Sequence, residues 1–582
     1  MVLDWITANP ATASDASGFT GVKDWRFFLE KKRGHRAING VQYIGQDAAL
    51  RYKYVQPETS TSRYFSRFLD QSDVVGGEVQ APSEAVVMSE FVPPSEEDLW
   101  KHLIGFGENT NIGGGPLQAS VSEMLNELGR LEPDRPEISN WLTKEALSKV
   151  KVPAATSPGI RWKKMGYRTK KDALMPAVVE ACKVLGRMQD TQQEYTVPPA
   201  GVAGRGKRVA MDRPDDPDRK EGRLIVMPDL VRHLMGAMGS GPYMQMQRRL
   251  DKENGGVLLG MGPFHESYEQ LAGWAKGAKG YVFIDFKKFD QRIPRRVLRA
   301  VMKHISRAFS KEDGSGAYWA SEFRHLVDTE IAMPGGSVYR KKMGVASGDP
   351  WTSLADSYAN WVMLHLACRA MGWSTKIWTF GDDSVVAIMD GEVGGDPLAR
   401  VSAWLKAEFG MVVSEEKSYF SKVLVDIDDE PEEKVSGSFL SMYFVATPMG
   451  VRPVRPIQDF YELFLKPERN RDTVGWEVAR TSMAFLVFYY NPNVRQILYE
   501  YWDWLHRTYR IPELTGTVDD LRTLREMDIP WSLFSVEWLT RLPFPWEVEL
   551  LYKYGHTRYY PPILWQLVYR RDSTLVGGNR LD

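Results

Sequence analysis

The sequence predicts an α+β fold: an antiparallel sheet with helices on one face. Three observations point there. A short, apolar, β-prone run, YVFIDF, carries Asp285 near its end. Two more β-prone runs, residues 376–380 and 384–389, flank Gly381-Asp382-Asp383, which reads as a hairpin turn. Helical patterns separate these runs, so the centre reads strand, helix, helix, hairpin, helix, strand.

The elements follow in chain order. The first 130 or so residues mix Gly/Pro-rich loops with short helical patterns. Residues 105–116, GFGENTNIGGGP, contain a G-x-G. No strand clearly precedes it and no lysine follows, so it reads as a flexible loop rather than a phosphate cradle. Residues 197–223 form a second punctuated zone, rich in Arg, Asp, Pro and Gly. Pro294 opens a basic amphipathic helix, PRRVLRAVMKHISRAF. Residues 335–342 read as a Gly-led hairpin arm, 353–370 and 403–409 as helices, and 439–446 as a strand pair. Beyond Pro453 the pattern is mainly helical, with dense Trp and Tyr. No internal repeat is evident, which argues against a solenoid or propeller.

The 582 residues are 43% hydrophobic, enough for a large core divided among roughly two to four structural units. Lys and Arg total 74 against 75 Asp and Glu, a net charge of -1. A nucleic-acid binder often has a basic excess, so binding here requires local grouping, such as a basic channel under an acidic exterior. Cys182 and Cys368 lie far apart with no C-x-x-C spacing, which disfavours a thiolate zinc site and a disulfide scaffold. The start, MVLDWITANP, lacks the pattern of a signal peptide. The most apolar stretch, residues 483–490, is too short for a membrane-spanning helix. The expectation is a soluble, intracellular protein with no membrane partner.

Asp382 and Asp383 share a tight turn between apolar strands, and Asp285 ends another. An acidic pair there costs repulsion and desolvation unless a cation compensates. Magnesium suits, because it takes a few carboxylates and completes its shell with phosphate and water. Two such ions can clamp an in-line phosphoryl displacement. A lone GDD reads more simply as a solvated turn, and a lone Asp after a strand as a cap. The series Asp285-x-x-x-x-Asp290, Ser347-Gly348, then GDD, each in its expected local structure, makes chance agreement small.

With these motifs the chain resembles the RNA-dependent RNA polymerases of RNA viruses, with their right-hand fingers, palm and thumb. IDFKKFDQRIP resembles the first palm motif, GVASGDPWTSLADSYANW the second, and FGDDSVV the third. EFGMVVSEEKS resembles the fourth and FLSMYF the fifth. Motif order and the F-D-x-x-x-P ending are most similar to polymerases of small double-stranded RNA viruses, the partitivirus and picobirnavirus groups. The strong likeness covers roughly residues 155–450. It implies an N-terminal extension and part of the fingers in 1–130, and fingers in 131–280. A palm would follow in 281–450, with a fingers insertion near 311–340, and a helical thumb in 451–582.

The resemblance also implies roles. Asp285 and Asp382 are the main ligands of two Mg²⁺ ions, with Asp383 assisting and Mn²⁺ able to substitute. Asp290 faces the ribose of the incoming ribonucleoside triphosphate and favours its 2′-hydroxyl. Ser347 and Gly348 form a flexible loop before a helix. On that helix Thr352, Asp356 and Asn360 recur every four residues on one face. Related polymerases place an Asn nine residues after the Ser. Here Asp356 stands there and Asn360 comes one turn later, which leaves open which of them works with Asp290. For Thr352 a purely structural role reads equally well.

Lys417 resembles the lysine proposed as general acid for departing pyrophosphate, against a plain reading as a solvated lysine. KEGRLIVMP resembles the basic finger motif that grips triphosphate. Arg223 is its closest match, and Lys220, Arg208 and Arg205 are helpers. TSPGIRWKKMGYRTK resembles the motif guiding the template strand, through Ser157, Gly159 and Arg161. Trp502, Trp504, Trp531, Trp538, Trp546 and Trp565 read mostly as thumb core, with stacking on a priming nucleotide or duplex the alternative. The implied partners are template RNA, the nascent strand, nucleoside triphosphates and a viral capsid protein, in host cytoplasm inside the particle. Two rivals are weighed. Reverse transcriptases usually carry an aromatic where Asp290 stands and a Y-x-D-D turn. A non-catalytic palm-fold RNA-binding protein need not retain every carboxylate.

Overall fold

The run GYVFI has no charged residue, and in the computed structural model the whole Gly280–Ile284 strand is buried. The structure describes residues 41–59, 61–71, 82–107, 119–212, 219–428, 431–468, 472–510 and 536–555. The central sheet has five strands, in the order Tyr419–Ser421, Gly280–Ile284, Asp383–Asp390, Ser374–Phe380, Gly256–Val257. The first four pair antiparallel. The Gly256–Val257 edge joins in parallel, with Gly256 beside Trp378, so the expected antiparallel pattern describes all but that edge.

Helices were expected on one face only, and the structure corrects this: both faces are covered. Side chains alternate across a strand. Val282, Ile284, Val386 and Ile388 join one cluster, with Val297, Val301 and Ile305 of the Arg295–Ser306 helix and Trp361 and Val362 of the Thr352–Ala370 helix. Leu405 and Phe409 of the Pro397–Phe409 helix complete that layer. Tyr281, Phe283, Val385 and Ala387 turn the other way, against Tyr268 and Leu271 of the Ser267–Trp274 helix and against Phe439 and Phe444. A strand apolar at every position needs cover on both sides, and each large side chain so buried contributes roughly 1.5–3 kcal/mol.

Pro294 precedes the Arg295–Ser306 helix with φ -66°, the ring geometry that suits a helix start. The Thr352–Ala370 helix is buried on all sides from Leu354 to Cys368. Its amphipathic signal is weak for that reason, since no side faces water.

Around this palm-like core, Val41–Gln46, Ser337–Lys341 and Glu330–Ala332 form a three-stranded antiparallel sheet. The Ser315–Val327 helix before it roots Tyr318, Leu326 and Val327 in the main core. Gly201–Arg205 pairs with Arg223–Met227, and Ser89–Val92 with Lys207–Ala210. The last hairpin, Met442–Thr447 with Gly450–Val454, runs past the expected boundary at 450.

A second core gathers Phe460, Phe464, Met483, Leu486, Tyr501 and Leu551 from the C-terminal helices. Phe65 and Phe68 of the Arg63–Gln71 helix belong to this core, with the Phe65 ring 5.0 Å from Tyr501. A segment expected in the N-terminal extension and fingers therefore packs on the C-terminal helices. Trp502 and Trp538 are core residues and Trp504 packs against that core beside Phe68 and Tyr501, while Trp546 is exposed beside Phe544. Trp531, Trp565, the N-terminal MVLDWITANP and most of the G-x-G loop lie outside the described residues. Among the described residues no helix is long and apolar enough to cross a membrane, and Cys182 and Cys368 are both free.

Candidate active site

The site begins with strand register. Ser384 lies opposite Ile284 in the antiparallel pair, so Asp383, one residue before, lies opposite Asp285, one residue after. Phe380 pairs with Asp383 across the hairpin, leaving Gly381-Asp382 as the loop. Gly381 takes φ +63°, a left-handed conformation that glycine adopts without steric penalty. Three carboxylates thus meet at the ends of two neighbouring strands.

Their backbone is held from two directions. The Ser418 hydroxyl accepts from the Asp285 N–H at 2.9 Å and donates to the Asp285 carbonyl at 3.1 Å. The Ser357 hydroxyl accepts from the Gly381 N–H at 2.7 Å. The Asn360 carboxamide donates to the carbonyls of Gly381 and Asp382, both at 3.1 Å. The buried helix therefore holds the acidic turn by its main chain.

Electrostatics report the crowding. Burial first, then the charges of Asp382 and Asp285, push the Asp383 carboxyl up to about 7. Asp382 is raised mainly by burial and also by Asp285, opposed by Arg223 and Lys417. Asp382 is open to water even so. Among the described residues no group of three His, Cys, Asp or Glu side chains forms a ready-made metal cage. The donor set still fits a hard divalent cation: it is all oxygen, partly open, and carries repulsion that a cation would relieve. Such an ion would take its remaining ligands from water and phosphate.

A second group stands beside the first. The Ser347 hydroxyl donates to Asp290 Oδ2 at 3.3 Å, and the Gln291 N–H to Oδ1 at 3.0 Å. Burial pushes the Asp290 carboxyl up to about 6, and the charge of Asp382 adds to the rise. Asp356 is buried, Oδ1 has no partner among the described residues, and burial with the charges of Asp290 and Asp382 holds its carboxyl well above the usual range. The charges of both Asp290 and Asp382 act on Asp356, while the Asn360 amide nitrogen holds the acidic turn and its Oδ1 is buried without a partner among the described residues, so both stay candidates beside Asp290. Thr352 donates to the Ala346 carbonyl at 2.8 Å and braces the loop. Gly348 has φ +104°, and an added Cβ would stand 2.3 Å from the Val226 carbonyl oxygen. The loop lies against that strand because no side chain intervenes.

The basic residues divide. Lys417 Nζ is 3.7 Å from Asp285 Oδ2 and mostly exposed. Arg223 is exposed, and its charge acts on both Asp382 and Asp290. Lys220 is half-buried next to Gly105. Arg208 and Arg205, expected at the triphosphate, turn elsewhere. The Arg208 guanidinium donates to Ser89 Oγ and to the carbonyls of Glu462 and Lys466, and lies over the Phe91 ring at 4.7 Å. Arg205 pairs with Glu468 at 3.0 Å. Both bridge to residues 462–468, where carbonyls and acids take up their guanidinium groups.

Arg161 is corrected likewise. It bonds Asp229 twice at 3.1 Å and Glu180 at 2.6 Å, and stacks on Trp162. Asp229 in turn caps the Leu230–Gln247 helix through the Val231 N–H. The arginine is structural here, and Gly159 beside it is buried against Asp229. Ser157 remains partly open, its hydroxyl accepting from the Gly159 N–H at 3.3 Å.

Sequence reasoning missed Lys207. Burial lowers its ammonium, as do the charges of Lys417 and Arg223, while Asp285 opposes them. Lys207 therefore belongs to the basic group facing the carboxylates. Strand alternation carried the signal: Arg208 and Lys207 are consecutive on one strand, so they project to opposite faces.

Residues 218–465, a little under half of the chain, match the family model described as viral RNA-dependent RNA polymerase. The chain is similar to the genome polyprotein of Zucchini yellow mosaic virus (strain Singapore), 28% identical over 149 residues, covering 23% of this chain and 5% of that protein. The genome polyprotein of Soybean mosaic virus (strain N) is 25% identical over 145 residues, 23% of this chain and 4% of that protein. That of Watermelon mosaic virus II (isolate USA) is 24% identical over 143 residues, 23% of this chain and 14% of that protein. The matched part is a small fraction of each relative's length. These relatives lend no support to the expected grouping with partitivirus and picobirnavirus polymerases.

Proposed function

We propose that the chain is an RNA-directed RNA polymerase, joining ribonucleoside triphosphates to an RNA 3′-hydroxyl on an RNA template. The observation that carries this reading is the register placing Asp285 and Asp383 side by side, with Asp382 on the intervening turn. Asp285, Asp382 and Asp383 would hold Mg²⁺, or Mn²⁺ in its place. Bound there, two such ions supply charge neutralisation for the attacking and leaving oxygens.

The chain's own residues do the rest. Arg223, Lys207 and Lys220 draw in the triphosphate, and the exposed fork of Arg223 suits its oxygens. Asp290, with Ser347 and Asp356 around it, receives the ribose. A buried acid and a buried unpartnered oxygen favour a 2′-hydroxyl, because its absence leaves them unsatisfied. Lys417, held near Asp285, is positioned to give a proton to departing pyrophosphate. The charges of Lys207, Arg223 and Lys417 act locally on the carboxylates, which reconciles a net charge of -1 with a polyanionic substrate.

Replication and transcription of a double-stranded RNA genome rest on the F-D-x-x-x-P ending at Phe289–Pro294 and on motif order. Work inside a particle in host cytoplasm, with a capsid protein as partner, follows from that grouping alone.

The test is incorporation of labelled ribonucleotides by purified protein on single-stranded RNA, with and without magnesium, beside Asp382→Ala. Magnesium-dependent product that vanishes in the variant is expected. Product from both proteins would sink the assignment of the carboxylates. The same assay with Asp290→Ala should show relaxed ribose discrimination or impaired ribonucleotide use.

A further inference from the structure

Lys341 ends the Ser337–Lys341 strand, and its side chain has no exposure to water. A buried ammonium usually meets a carboxylate. Here every hydrogen bond goes to a backbone carbonyl: Leu326 and Gly344 at 2.6 Å, Val327 at 3.0 Å and Met343 at 3.5 Å. Two of these belong to the last residues of the Ser315–Val327 helix, whose final carbonyls lack helical partners. The other two belong to the turn that leads into Ser347. One cation thus joins a helix end to that turn.

The turn is welded to the residues that carry Asp290. The Val345 N–H donates to the Asp290 carbonyl at 2.7 Å, and the Gly344 N–H to the Ile293 carbonyl at 3.0 Å. Gly344 lies so close that an added Cβ would stand 2.6 Å from the Asp290 carbonyl oxygen. Three residues further on, Ser347 reaches the Asp290 carboxylate. Lys341 also lies within electrostatic range of Asp290 and Asp356 without bonding to either.

We propose that Lys341 is the positioning residue for ribose selection, setting the distance between Ser347 and Asp290 by fixing the carbonyls of Met343 and Gly344. The inference rests on the polymerase reading above. Lys341 touches no substrate. It acts through the turn, where burial lowers its ammonium to about 7 against the charges of Asp349, Asp328, Asp290 and Asp356. Small displacements matter at such a site, because discrimination depends on hydroxyl-to-acid geometry within a fraction of an ångström.

The experiment measures kcat/KM for a ribonucleotide and the matching deoxyribonucleotide with the parent chain, Lys341→Met and Gly344→Ala. The ratio of the two is independent of the fraction of folded enzyme, so a partly unstable variant still reports. We expect the ratio to fall about tenfold in both variants, through a raised KM for the ribonucleotide, with kcat within about twofold of the parent. Gly344→Ala pushes on the Asp290 carbonyl from the same turn without touching Lys341, so it answers if Lys341→Met does not fold. An unchanged ratio in whichever variant folds, even with a lowered melting temperature, would make Lys341 merely structural and overturn the proposal. A parent that makes no magnesium-dependent ribonucleotide product would instead overturn the polymerase reading itself.

Discussion

The Asn360 carboxamide grips the main chain of Asp382: it donates to the Asp382 carbonyl and to that of Gly381, each at 3.1 Å. A buried helix residue thus sets where an acidic turn sits, without touching its carboxylates.

Asn360→Ala removes the side-chain donor that these two carbonyls have among the described residues, at a cost of about 1–3 kcal/mol. We expect kcat for nucleotide incorporation to fall about tenfold or more as the turn loosens. Ribose discrimination should stay as it was, because the Asn360 bonds seen among the described residues go to the acidic turn and none goes to Asp290. Steady-state extension with ribo- and deoxyribonucleotides checks both halves, and altered discrimination at full kcat would return Asn360 to the ribose group.

The crowded carboxylates predict a metal-linked stability. Magnesium at about a hundred times its dissociation constant should stabilise the parent by about 2.7 kcal/mol. Asp285→Asn and Asp382→Asn should lose that increment along with all synthesis, yet keep the fold. Asp383→Asn should melt higher than the parent in metal-free buffer, since it removes a buried charge repelled by two neighbours. Thermal melts with and without magnesium decide it, and an equal magnesium shift in all four proteins counts against these ligands.

Lys207 and Arg208 are consecutive and should behave oppositely. Lys207→Ala should raise the KM for nucleoside triphosphate several-fold, roughly the effect of losing one phosphate-facing charge. Arg208→Ala should leave that KM unchanged but lower the melting temperature and shorten the products made per binding event, because its bonds hold Glu462 and Lys466. A raised KM in Arg208→Ala would restore it to the triphosphate site.

His365 lies buried on the helix that holds the acidic turn, with Nε2 unpartnered among the described residues and the ring edge-on to Trp361 at 5.3 Å. Burial, aided by the charge of Arg130, lowers its pKa from 6.5 to about 3. Between those values the unfolded chain binds a proton that the folded chain refuses, so stability rises with pH across this window. From pH 7.5 to 5.5 this group should remove about 1.4 kcal/mol of stability. His365→Phe should cancel that part, measured as denaturant midpoints at the two pH values. An identical pH difference in parent and variant would show that His365 does not titrate this way.

The sequence alone determined the chemistry-bearing motifs and the elements that carry them. The apolar run before Asp285, the Gly381 turn and the Pro294 helix start are local matters of hydrophobic period and backbone freedom, and local signals suffice for them. The structure alone decided which way each polar side chain turns. Arg205, Arg208 and Arg161 look like nucleic-acid contacts in sequence, yet Glu468, Glu462, Glu180 and Asp229 come within reach only when the chain folds. Asp356 and Asn360 share one helical face, and only the packing of that helix under the sheet brings Asp356 within range of the charges of Asp290 and Asp382 and sets the Asn360 amide on the Asp382 turn. Lys341 carries no motif at all. Its partners are carbonyls, and a carbonyl has no sequence signature, so its place became visible only when residues 326–327 and 343–344 converged on it.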